Sequence, residues 1–119
     1  MSQSEQDLRI DYIEFPATDV AKTRAFYEQV FGWKFQDFGP DYSAFDDGRI
    51  TGGFRAGAAA PGDGTLAVIY AVDLEAVKEK IVAAEGKIVR PTFAFPGGRR
   101  FHFRDPGGNV LAVWTDQGL

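Results

Sequence analysis

His102 is the single imidazole in 119 residues, and no cysteine accompanies it. One His excludes a site that needs two imidazoles from one chain, and the lack of Cys excludes disulfides, a thiolate nucleophile and Cys-containing zinc sites. The chemistry left to His102 is hydrogen bonding or acid/base work near neutral pH. Glu14, flanked by Ile13 and Phe15, is the second candidate. A carboxylate there faces either solvent or a pocket that supplies it with a partner. Arg100 is a fork for a carboxylate or phosphate and could also hold Glu14 ionised. Tyr12, Trp33, Phe35 and Trp114 supply aromatic surface, with core packing the stronger use for Phe35. Two uses of the polar pair stay open. Glu14 and His102 move a proton next to a carbonyl, or Glu14 pairs with an Arg while His102 packs into a wall.

The elements that position these groups come from an internal repeat. Asp19 to Gly32 (DVAKTRAFYEQVFG) and Asp73 to Gly86 (DLEAVKEKIVAAEG) each run from an Asp to a Gly at an offset of 54. Asp is a favoured N-cap and Gly a favoured C-terminal stop, so both read as helices. Val20, Tyr27 and Val30 match Leu74, Ile81 and Ala84 as one apolar stripe. An extended run precedes each helix, 10–15 and 66–72, and three follow each: 33–38, 42–46 and 50–55, then 87–95, 99–104 and 110–115. The expected fold is α+β, with two βαβββ modules forming paired curved sheets around a cavity in a single domain. Module one is 9–56, the turn-rich linker 57–64, and module two 65–116. Neither half is large enough to fold alone. PGDG and PGGR match no phosphate-loop pattern and read as turns.

Strand alternation then assigns faces. Ile13 and Phe15 suit the helix side, which sends Tyr12 and Glu14 to the concave face. In 66–72 the larger Leu66, Val68, Tyr70 and Val72 are expected on the helix, leaving Ala67, Ile69 and Ala71 toward the cavity. Phe101 and Phe103 take the helix side of their strand, so Arg100, His102 and Arg104 share the other. In the last strand Leu111 and Val113 oppose Val110, Ala112 and Trp114. The expected ligand-binding set is Tyr12, Trp33, Ile69, Arg100 and Trp114, with Glu14 and His102 as the catalytic candidates.

Charge limits the partners. With 13 Lys/Arg against 17 Asp/Glu the net charge is −4, which argues against gripping nucleic acid or an anionic membrane. Arg99, Arg100 and Arg104 form a ligand-sized basic patch. The polar MSQSEQD start and the lack of a long apolar run make the cytoplasm the expected location.

These motifs together resemble the vicinal oxygen chelate superfamily, which includes glyoxalase I, bleomycin-resistance proteins, fosfomycin-resistance enzymes and extradiol dioxygenases. The resemblance spans about residues 9–116 and is carried by DVAKTRAFYEQVFGW (19–33), VDL (72–74) and FRDPGGN (103–109). FPATD, FGW, Gly52-Gly53 and Trp114 look like the branch of predicted enzymes related to lactoylglutathione lyase. The resemblance implies metal ligands at set distances from these motifs. Here those positions hold Tyr12, Ala67 and Ala112, and the fourth strand, ITGGFRAG, offers no carboxylate or imidazole. Ala cannot bind a metal, and a phenol of pKa about 10 is a poor substitute. His102 matches the strand position where the fosfomycin-resistance enzymes place a residue against substrate.

The leading expectation is therefore a metal-independent protein, without a cofactor, that binds a small, partly aromatic or anionic molecule. A homodimer is expected, as in bleomycin-resistance-like proteins and as open sheet edges favour. A metal-free isomerase or lyase using Glu14 and His102, and a lactoylglutathione-lyase-like metal enzyme with atypical ligands, are the alternatives.

Overall fold

Asp19 and Asp73 each begin a helix, as their short side chains accept from backbone N–H groups that a first helical turn leaves unpaired. In the computed structural model, which describes residues 3–57, 64–106 and 108–118, Asp19 accepts from Lys22 N at 2.9 Å and Asp73 from Ala76 N at 3.0 Å. The helices are α1 (Val20–Phe31) and α2 (Leu74–Ala83). Around them run β1 (Ile10–Ala17), β2 (Lys34–Asp37), β3 (Tyr42–Asp46), β4 (Thr51–Ala56), β5 (Leu66–Tyr70), β6 (Lys87–Phe95), β7 (Gly98–Arg104) and β8 (Val110–Thr115). A short 3₁₀ turn, Gln3–Gln6, precedes β1. The fold is α+β with the βαβββ order repeated. Most of the expected linker, 58–63, and Gly107 of the DPGGN turn lie outside the described residues.

The chain divides into two compact units: residues 12–66, and residues up to 11 together with those from 67 onward. In the first unit the strand order is β2-β3-β4-β1, with β1 and β4 parallel and the other neighbours antiparallel. The second has β6-β7-β8-β5, with β5 and β8 parallel. The topology is the same twice.

Each unit packs its helix on one sheet face, but with different side chains. In the first, Ala17, Val20, Phe45 and Phe54 are buried, with Phe15, Tyr27, Trp33 and Phe35 packed against them. Trp33 stacks on Tyr27 and on Phe45 at centroid distances of 4.7 Å. In the second, Ala71, Leu74, Phe101, Phe103 and Val113 are buried, joined by Ile69, Val77, Ile81, Ile88 and Leu111. Burying such side chains contributes roughly 1.5–3 kcal/mol each.

Three local expectations need correction. The α1 stripe ends before Val30, which is exposed like Ala84, the C-cap of α2, because each lies past the edge of the arc touching the sheet. Gly32 does take the left-handed φ of 71° that stops α1. Gly86 does not do this for α2: Glu85 holds the left-handed φ of 72°, and Gly86 is needed because a Cβ there would meet Ile81 Cγ2 at 2.5 Å. In β5 the faces are reversed. Ile69 and Ala71 pack on the α2 side, whereas Val68 and Tyr70 point the other way and Val72 is exposed. A parallel strand buried on both faces is apolar throughout, so residue size does not identify the helix side.

Candidate functional site

Glu14 is 2% exposed, and its surroundings follow from strand register. It pairs with Gly53 of β4, which in turn pairs with Ala44 of β3. A Cβ at Gly53 would collide with the hydroxyls of Tyr42 and Tyr12, so the glycine leaves the space those phenols fill. Tyr42 Oη donates to Glu14 Oε2 at 2.9 Å and lies 2.5 Å from Tyr12 Oη. Arg55 Nε meets the other carboxylate oxygen, Glu14 Oε1, at 3.2 Å. Burial first, and then the negative charge of Glu14, push the Tyr42 phenol well above its ordinary pKa, so Tyr42 stays neutral and keeps its proton.

The corresponding face of the second unit is built differently. Tyr70 of β5, Trp114 of β8, Arg100 of β7 and Phe93 of β6 form one cross-strand row; Val68, Ala112, His102 and Arg90 form the next. The Arg100 guanidinium lies 5.3 Å from the Phe93 ring centre and 5.8 Å from that of Phe95, and Arg90 lies 3.8 Å over Phe93. His102 is tilted against Phe93 at 5.8 Å. Trp114 meets Tyr70 edge-on at 5.2 Å, and its indole N–H donates to Asp11 at 3.2 Å. Burial raises the pKa of Asp11, offset by hydrogen bonds from Trp114 and Gln3. Two cations beside aromatic rings, with an imidazole next in line, suit an aromatic anion.

The sequence candidates therefore fall into three places. Tyr12 and Glu14 share a hydrogen-bonded cluster in the first unit. Arg100, His102 and Trp114 share the non-helical face of the second. Trp33 and Ile69 lie with the helix-side cores, Trp33 stacked between Tyr27 and Phe45 and Ile69 packed beside Phe101. Ile69 is thus corrected from a cavity-facing residue to one on the α2 side.

Sequence reading missed Tyr42 and Arg55 as partners of Glu14, and Arg90, Phe93 and Phe95 beside Arg100. A signal existed for Tyr42. With Phe45 on the helix side, alternation in YSAFD sends Tyr42 and Ala44 to the face of Glu14. Phe93 and Phe95 were hidden by two register shifts in β6, where simple alternation fails.

The metal expected in this superfamily does not fit these residues. Ala67 and Ala112 carry no donor atom, and the Gly53 cradle on β4 is filled by two phenolic oxygens. Among the described residues no three His, Cys, Asp or Glu side chains group closely enough to hold an ion.

Residues 9–113 match the model of the Glyoxalase/Bleomycin resistance protein/Dioxygenase superfamily. The chain is 30% identical to a glyoxylase-like domain-containing protein of Didymella fabae, over 92% of this chain and 95% of that one. Among solved structures, it is similar to a glyoxalase/bleomycin resistance protein/dioxygenase superfamily member from Vibrio splendidus 12B01 (TM-score 0.69, 16% identity, 92% of this chain and 99% of that one). It also matches a Mn(II)-bound glyoxalase from Novosphingobium aromaticivorans (TM-score 0.68, 22% identity, 93% of this chain and 40% of that one). At these identities the two structures speak to the fold alone.

Proposed function

The chain belongs to the Glyoxalase/Bleomycin resistance protein/Dioxygenase superfamily, and on that premise we propose that it is a metal-independent small-molecule-binding protein rather than a metal enzyme. The carrying observation is that the family's ligand positions hold Tyr12, Ala67 and Ala112, while Arg100 sits among Phe93, Phe95, Trp114 and His102. On this reading Arg100 takes an anionic group, Trp114 and Phe93 the apolar body, and His102 a polar edge of a small aromatic anion. Direct proton abstraction by Glu14 draws no support from a carboxylate already held by Tyr42 and Arg55.

A homodimer in the cytoplasm completes the proposal. Phe26 and Phe31 of α1 are 53% and 59% exposed, as a face awaiting cover would be. Among the described residues no helix is long and apolar enough to cross a membrane. Sedimentation at micromolar concentration tests the dimer; a monomer there removes that part.

Phenylacetate is a suitable probe for the anion face. Binding should survive chelator, and Arg100→Ala should weaken it about tenfold or more, the size of one lost charged hydrogen bond. Stoichiometric metal that binding requires, or an Arg100→Ala variant equal to wild type, would overturn the proposal.

A further inference from the structure

Beyond the end of α2, Glu85, Lys87, Arg104 and Asp105 line a cleft of about 250 Å³ together with Pro106 and Gly108, all within the second unit. Lys87 opens β6 and Arg104 closes β7, and the register sets them directly opposite each other. Two cations in that arrangement repel and weaken the strand pair. Glu85 brings a carboxylate to the same space from a left-handed backbone, although the next residue is a glycine to which that conformation costs less. Among the described residues, Glu85, Lys87 and Arg104 form no ion pair with one another or with any other side chain. Asp105 differs, because its oxygens accept from Asn109 N at 2.9 Å and Asn109 Nδ2 at 3.1 Å, so its charge serves the turn.

We infer that this cleft binds a small zwitterion of the amino-acid class, at a site separate from the Arg100 face. The guanidinium fork of Arg104 and the ammonium of Lys87 take the ligand's carboxylate, and Glu85 takes its ammonium. A simple anion would lie beside Glu85 as a like charge, and a simple cation would meet two like charges. One molecule carrying both signs on a short skeleton satisfies all three groups. The volume suits an amino acid and falls short of a drug-sized ligand.

Ile88 and Phe103 pack on the helix side, so alternation puts Lys87 and Arg104 on the same sheet face as Arg100. Arg104 is nevertheless four residues along β7 from Arg100, about 13 Å at the usual rise of a strand. A molecule as short as phenylacetate cannot reach both, and the inference does not depend on the proposed anion face.

Glycine, acetate and methylammonium, titrated into the full chain at neutral pH and low salt and followed by backbone NMR, separate the possibilities. Glycine should shift the amides of 85–87 and 104–106 and bind about tenfold tighter than either single-charge probe. Glu85→Gln should bring glycine down to the level of acetate, and Lys87→Gln combined with Arg104→Gln should remove the binding of both. Lys87→Gln alone relieves the repulsion, so it should raise Tm at low salt while abolishing the further rise that glycine gives to wild type; a residue kept only for the sheet would lower Tm on replacement. All these variants should bind phenylacetate as wild type does. Acetate as tight as glycine, no shift of these amides at tens of millimolar glycine, or a Glu85→Gln variant that keeps the glycine preference would overturn the inference. Loss of phenylacetate binding in the double variant would overturn the separateness of the two sites. A wild type that binds glycine here but no phenylacetate would remove the anion face and leave this site standing.

Discussion

Glu14 and Val68 occupy equivalent places in the two units, one repeat offset of 54 apart, and their environments have nothing else in common. Glu14 pairs with Gly53 and is enclosed by Tyr42, Tyr12 and Arg55; Val68 pairs with Ala112 and is flanked by the Arg100–Trp114 row. The helix faces diverge as well, a stack of aromatic rings under α1 against mainly aliphatic packing under α2. Duplicated topology thus tolerates opposite chemistry on its non-helical face. Register places the residues, and side-chain volume on the neighbouring strand decides whether polar groups can converge.

The largest test of that contrast is steric. Gly52 and Gly53 correspond to Leu111 and Ala112, which already carry side chains. Gly52→Ala would drive a Cβ into the Ile13 carbonyl and the Phe45 ring, and should cost about 3 kcal/mol. Gly53→Ala, which meets phenol tips instead of backbone, should cost about 1–3 kcal/mol and separate Tyr12 from Tyr42. Ala112→Gly in the other unit should cost only about 1 kcal/mol. Urea denaturation midpoints give all three, and equal losses at Gly52 and Ala112 would erase the difference between the sheets.

Helix stops give a smaller contrast. Gly32 is suited to its left-handed φ and Glu85 is not. Glu85→Gly should raise stability by about 0.5–1 kcal/mol, and Gly32→Ala should lower it by about 1 kcal/mol, measured as Tm shifts of opposite sign.

The smallest effects are the titrations of Asp37 and Asp11. Hydrogen bonds from Ser43 and then Arg24 lower the Asp37 pKa, so its stabilisation is present above the ordinary carboxylate value and disappears as pH falls through the folded one. Burial raises that of Asp11, so its contribution is present below the ordinary value and is lost as pH rises through the folded one. Asp37→Asn should therefore lose stability relative to wild type near neutral pH and converge with it in acid. Asp11→Asn should gain relative to wild type as pH climbs from acid to neutral. Parallel pH profiles for the two variants would contradict this assignment.

The reversed face of β5 shows how legibility depends on the pattern consulted. Residue size placed Val68 and Tyr70 on the helix, yet the repeat already mapped Ile13 and Phe15, both read as helix-side, onto Ala67 and Ile69. The repeat had the right answer. Alternation cannot choose a face in LAVIY, where every residue is apolar or aromatic, whereas Arg100 and His102 could be assigned because polar and apolar side chains alternate in RRFHFR.

By itself the sequence determined the two helices with their Asp starts, the βαβββ order and family membership, since capping and periodicity are local and repeat at a constant offset. The identities of Tyr12, Ala67 and Ala112, where the resemblance places metal ligands, are likewise read from the sequence alone. Only the tertiary structure decided that Glu14 meets Tyr42 and Arg55, that Arg100 lies among Phe93 and Phe95, and that Ile69 faces α2. Those contacts join residues on different elements. They depend on register, a bulged β6 and the space over Gly53 that the two phenols fill, none of which is a property of one segment.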